Sequence, residues 1–189
     1  MIIDKNAKII FLLTSWLPSA EKQDMVKPLA PKEWSYLSKK IADSQLKEPS
    51  NILELSKDEL AKTLDIADKF SERVRLLLNR SGQVVFEIEK HTNQGHKLLT
   101  RTDSSYPKIL EKELKEDTPP FFWYLGNIDL LSSDPFSIEF SGKPNKDSIQ
   151  DICQAINIIK KHHDSIVLSF NDDSALEVAD EFINEGVVV

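Results

Sequence analysis

The residues best suited to chemistry lie in SIEFSGKPNKDS, between positions 137 and 148. Ser141 offers a hydroxyl, Gly142 permits a tight turn with close backbone approach, and Lys143 and Lys146 bring positive charge to the start of a helix. A strand that turns this way into a helix can hold an anion, because the first helical amides point outward and the helix dipole favours negative charge. A glycine-bearing strand-to-helix turn is more often only a turn, and Pro144 and Asn145 suit either purpose. A second loop, SFNDDS at 169–174, has no glycine and two carboxylates, Asp172 and Asp173. These would cap the following helix and repel phosphate. With Glu177 they could face a cation, but no histidine or further carboxylate is fixed nearby by spacing. No metal or cofactor is expected.

The other reactive side chains have plain structural roles available. Cys153, the one cysteine, falls among Ile152, Ile156 and Ile159 and should pack as a small hydrophobe. A single thiol also fits a reducing, cytoplasmic setting. His162 and His163 follow Lys160 and Lys161 where basic groups complement a helix C-terminus, and His91 and His96 flank a turn at Gly95. No Ser-His-Asp order, zinc spacing, Walker loop or nucleophile elbow can be placed, so the chain is not expected to be an enzyme.

The elements that must position the turn can be read from periodicity. From 137 the pattern runs strand (SIEF), amphipathic helix (DSIQDICQAINIIKKH), buried strand (SIVLSF), a second helix opened by Ser174 with Glu177 three residues on, and a third strand (VVV) after Gly186. This order predicts a partial Rossmann-like parallel sheet. The first hundred residues predict a small helical domain. Trp34, Leu37, Ser38 and Ile41 share one helical face behind Pro31, and Ser56 and Glu59 form a capping box ahead of Leu60, Leu64 and Ile66. The stretch from Lys69 to Gly95 continues helically, with Gly82 expected to bend or split it. HKLLT is a candidate strand, and FFWY at 121–124, held out of helix by Pro119 and Pro120, is a short strand that should be buried. The fold class expected is therefore α/β, with a helical domain over 1–97 and a Rossmann-like domain over 98–189.

The N-terminus, MIIDKNAKIIFLLTSWLPSA, has a secretory look, with lysines before an apolar run from Ile9 to Leu17. Asp4, the interruptions at Thr14 and Ser15, and Pro18 argue instead for a core helix, and the run is too short to span a bilayer, so no membrane is expected. Overall 40% of the 189 residues are hydrophobic and 29% charged, ordinary for a globular protein. The net charge of −7 is unevenly placed: residues 134–189 hold 4 lysines against 11 acids, and the rest of the chain balances. Nucleic-acid surfaces are normally basic, and here the acidic third contains the phosphate-like turn.

Three segments together carry a family resemblance: PLAPKEWSYLSKKI, LLTRTDSSYPKILEKELKEDTPPFFWYLGN and SIEFSGKP. With Thr102, Asp103, Tyr106, Pro107, Leu110, Pro120, Tyr124 and Gly126 in the matching places, the chain resembles the DNA-processing protein A (DprA/Smf) family, most strongly over 98–143. The resemblance implies a Rossmann-like domain behind a small helical one, binding to single-stranded DNA, loading of a RecA-like recombinase, and no catalysis. The family's first loop reads Gly-Ser-Arg where this chain has Ser141-Gly142-Lys143, which keeps a charge but loses the guanidinium fork. The glycines of the family's second loop are replaced in SFNDDSALEVAD. The expected contacts to nucleic acid are thus Ser141, Gly142, Lys143 and Lys146.

Two alternative functions follow from the departures. One is a scaffold or interaction subunit of a multiprotein complex, such as a phage-defence assembly, in which the fold outlived the binding loop. The other is a sensor of a nucleotide-like small molecule, by analogy of fold. Three strands are about half of a usual doubly wound sheet of roughly six, so helices, a missing C-terminal half, a partner subunit or a second copy must cover the open face.

Overall fold

A computed structural model of the chain describes residues 4–17, 26–129, 135–140, 145–159, 161–162 and 165–170. Two compact units divide between Gly126 and Asn127. The described residues mix helix and strand: five helices, an antiparallel strand pair and a further helix in the first unit, and one strand–helix–strand run in the second. Among the described residues no helix is long and apolar enough to cross a membrane.

Helix α1 (Lys5–Thr14) is the secretory-looking run of the sequence, folded as a core element. Asp4 caps it by accepting from the amides of Asn6 and Ala7 at 2.9 and 3.2 Å. Thr14 and Ser15, which break the apolar run in sequence, turn their hydroxyls back onto the carbonyls of Ile10 and Phe11. Its buried residues, Ala7 and Ile9 through Leu13, lie all round the helix, as expected of an element enclosed by others. Three carbonyls of its last turn are answered. Phe11 accepts from the Ser15 amide, Leu12 from the Arg80 guanidinium, and Leu13 from the Leu29 amide.

Against α1 pack α2 (Pro31–Asp43), a 3-10 turn (Pro49–Ile52), α4 (Asp68–Leu78) and α5 (Ser81–Asn93), while α3 (Lys57–Leu64) packs against α4. The periodicity of α2 holds: Trp34, Leu37 and Ile41 are buried at i, i+3 and i+7, with Ser38 half-buried beside them. The capping box of α3 is formed in both directions, Glu59 amide to Ser56 hydroxyl and Ser56 amide to Glu59 carboxylate. Arg73 on α4 grips Glu33 at the start of α2 with two bonds, of 2.7 and 3.0 Å, and also donates to the carbonyls of Lys27 and Pro28. That guanidinium holds the Glu33 carboxyl below its ordinary range. The expected split at Gly82 occurs three residues earlier. Asn79 ends α4 and Arg80 precedes α5, so Gly82 sits inside the first turn of α5 with open space around it.

The first unit runs past the 97/98 boundary expected from sequence. β1 (Lys97–Thr100) and β2 (Phe121–Tyr124) pair antiparallel, with Lys97 opposite Tyr124 and Thr100 opposite Phe121. The short helix α6 (Lys108–Leu114) lies in the connection between them. Alternation turns Phe121 and Trp123 to the helices, where both rings meet Phe11 edge-on at 4.9 and 5.6 Å and Trp123 stacks on His91 at 4.6 Å. Those contacts bind the strand pair to the helical core. The expectation of a buried FFWY is corrected: all four residues are half-buried, because β2 is an edge strand of a two-stranded sheet with no neighbour on its outer side. Gly95, with φ +87°, makes the turn between α5 and β1 in the region that favours glycine.

In the second unit, β3 (Pro135–Phe140) and β4 (Ser165–Phe170) pair in parallel, in register from Pro135–Ser165 to Phe140–Phe170. Helix α7 (Lys146–Ile159) joins them. Ile149, Cys153 and Ile156 are buried on one face of α7, as its spacing predicts. The second helix and the VVV strand that would enlarge this pair into a Rossmann-like sheet lie outside the described residues.

Candidate functional site

The strand–turn–helix that carries the candidate residues is built from β3 and α7. β3 delivers the chain to Phe140, level with the carboxyl end of β4, and α7 starts at Lys146. Asn145 is the cap: its side-chain oxygen accepts from the Ser148 amide at 2.8 Å, and its carbonyl accepts from the Ile149 amide at 3.0 Å. Of the sequence-predicted contacts, Ser141, Gly142 and Lys143 lie outside the described residues. Lys146 is the first residue of α7. Of the second loop, Ser169 and Phe170 end β4, while Asp172, Asp173 and Glu177 lie outside the described residues. Among the described residues no group of three or more His, Cys, Asp or Glu side chains could hold a metal ion.

Residues 98–126, which hold Thr102, Asp103, Tyr106, Pro107, Leu110, Pro120, Tyr124 and Gly126, are described in full, and Asp103, Tyr106 and Pro107 serve the local fold. Asp103 folds back onto the end of β1, accepting from the Thr100 amide at 2.7 Å and the Thr100 hydroxyl at 2.8 Å. Thr100 is wholly buried, so its amide needs that partner, and its hydroxyl also lies 2.9 Å from the Thr102 hydroxyl. Pro107 then precedes α6, and the buried Tyr106 donates its hydroxyl to the Pro119 carbonyl at 2.7 Å. Burial raises the Tyr106 hydroxyl above the ordinary tyrosine range. Proline at 119 has no amide to give, and its carbonyl is met across the turn by this phenol. Arg101, next to the pair, donates to Ser35 on α2 at 2.9 Å and faces Glu111 on α6 at 3.4 Å. The motif is therefore a hydrogen-bonded brace that closes a strand pair over a helix.

The brace has a measurable value. Tyr106→Phe keeps the ring against Phe122 and strips the Pro119 carbonyl of its donor, and should lower unfolding free energy by about 1–1.5 kcal/mol in urea titration. A variant as stable as the parent would show that water replaces the phenol without loss.

Sequence reasoning did not find Arg80, Arg101 or Asp103 as structural partners, since each bond joins residues that no periodicity relates, apart from the Thr100–Asp103 turn. Comparison with family models, with characterised proteins and with solved structures finds no match to this chain.

Proposed function

We propose that the chain is a divergent relative of the DprA-type DNA-processing proteins and binds single-stranded DNA at the turn between β3 and α7, through Ser141, Gly142, Lys143 and Lys146. The observation that carries this reading is the parallel register of β3 and β4 with α7 between them. In open parallel sheets, ligands gather beyond the carboxyl ends of the strands, and residues 141–144 follow directly on the carboxyl end of β3. Asn145 takes the amide of Ser148, which leaves a phosphate the amides that precede it, with lysine charge at 143 and 146. The family resemblance over 98–143 supports the same choice of ligand. The surrounding acidic charge limits affinity and makes salt decisive.

Fluorescence anisotropy with a labelled oligo-dT tests the proposal. Binding should be micromolar or weaker at low salt, with log K falling against log [salt] at a slope of about −1.4, as two phosphates on a single strand would give. Lys143→Glu should abolish it. No binding at low salt, or an affinity indifferent to salt, would refute it.

A further inference from the structure

The first unit contains a cleft of about 410 Å³ bounded by α1, the 3-10 turn at Pro49–Ile52 and the first turns of α5. That volume lies in the range of small-molecule sites, roughly 300–1,000 Å³. Lys5, Lys8, Ile9 and Leu12 all line it and, at i, i+3, i+4 and i+7, share one stripe of α1. The stripe carries two ammonium groups at its N-terminal end and apolar surface beyond them. Val84 and Val85 of α5 face the same space, and Glu54 is the one carboxylate among the described lining residues. The wall opposite α1 is tied in place, since the Ser50 amide donates to the Asn6 side chain at 2.9 Å.

The two lysines are what give the cleft a ligand class. Among the described residues neither ammonium group makes an ion pair or a hydrogen bond, whereas Lys32, Lys40, Lys90 and Lys112 each pair with a carboxylate. Two cations against one anion leave a positive excess at the edge of a largely apolar space. A neutral apolar molecule would leave that charge unused, and a small inorganic anion would leave the apolar walls wet. A ligand with an anionic head and an apolar body uses both.

We propose that this cleft binds a small amphiphilic anion, an apolar body of roughly eight to ten carbons bearing one carboxylate or phosphate, held at the head by Lys5 and Lys8. The site is independent of the DNA-binding turn.

Titration of the full chain with octanoate and with octyl phosphate, followed by heteronuclear NMR, tests this, with octanol as the neutral control. Saturable shifts of α1 and α5 resonances are expected with a Kd of about 0.1–1 mM, and octanol should bind at least about tenfold more weakly. The tighter of the two anions identifies the head group as carboxylate or phosphate monoester. Lys5→Gln/Lys8→Gln should weaken the better anion about tenfold and leave octanol unchanged. Val85→Asp, at a half-exposed wall position, should weaken both anions and octanol without unfolding the chain. The proposal fails if neither anion saturates by about 5 mM, a concentration well above the expected range. It fails too if octanol matches the anions or if the lysine variant binds as the parent does. Displacement of octanoate by an acidic amphipathic peptide at lower concentration would overturn it in favour of a protein-docking surface.

Discussion

Trp34→Ala is expected to remove about 3–5 kcal/mol of unfolding free energy, at the upper end of what a single core truncation costs. Trp34 is 2% exposed and is the bulkiest of the fully buried residues. It projects from the first turn of α2 into a cluster that includes Leu13, Leu37 and Val74, contributed by α1, α2 and α4. Alanine would leave a cavity bounded by three helices that are also held by Arg73 and Arg80, so collapse to fill it is restricted. A domain of this size has a stability of roughly 5–15 kcal/mol, so the variant should unfold at a much lower urea concentration or fail to hold the fold at 37 °C. Far-UV circular dichroism is the right readout, because tryptophan fluorescence would itself be changed. Trp16→Ala is the internal control: at 63% exposure it should shift stability by no more than about 0.5 kcal/mol. Equal effects at the two positions would contradict a core centred on Trp34.

Arg80→Ala is expected to cost about 2–3 kcal/mol. The half-buried guanidinium donates to the Leu12 carbonyl in the last turn of α1, lies 3.4 Å from the Ser15 carbonyl, and reaches the Leu77 carbonyl of α4 at 3.4 Å. It thus ends two helices at once and fastens the start of α5 to them. Burial lowers its pKa, yet an arginine keeps its proton throughout the working pH range, so the cost should be the same at pH 5 and pH 8. Arg80→Lys should recover only part of the loss, since a single ammonium cannot reach separated carbonyls as a planar fork does. Full stability in the lysine variant would show that charge alone, not the fork, holds these helix ends.

The helices are legible in the sequence because their signals are local. Trp34, Leu37 and Ile41 announce their face by spacing, and Ser56 with Glu59 announces a helix start. β1, β2, β3, α7 and β4 are legible for the same reason, as are the burial of Cys153 and the parallel pairing of SIEF with SIVLSF, since a helix between two strands leaves room for little else. What stays hidden is set by contacts between distant residues. The pairing of β1 with β2 spans a long connection, and the rings that fix it, Phe11 and His91, come from two helices far apart in sequence. The first unit therefore ends at Gly126 and not near residue 97. In the sequence, the lysines at 5 and 8 resemble the basic start of a leader. Only their common stripe with Ile9 and Leu12, and the wall that α5 sets opposite, shows them lining a cleft. The turn proposed to bind an anion is legible as a pattern, and residues 141–144 lie outside the described residues.

The edge-on packing of Phe11 against Phe121 and Trp123 joins the first helix to the last strand of its unit. During synthesis α1 emerges long before those rings exist, and elongation from one to the other takes roughly 5–20 s at ordinary rates. Throughout that interval a strongly apolar segment is tethered to the ribosome with part of its surface uncovered. Nascent chains arrested before residue 121 should accordingly be held by chaperones, and those released after Gly126 should let go.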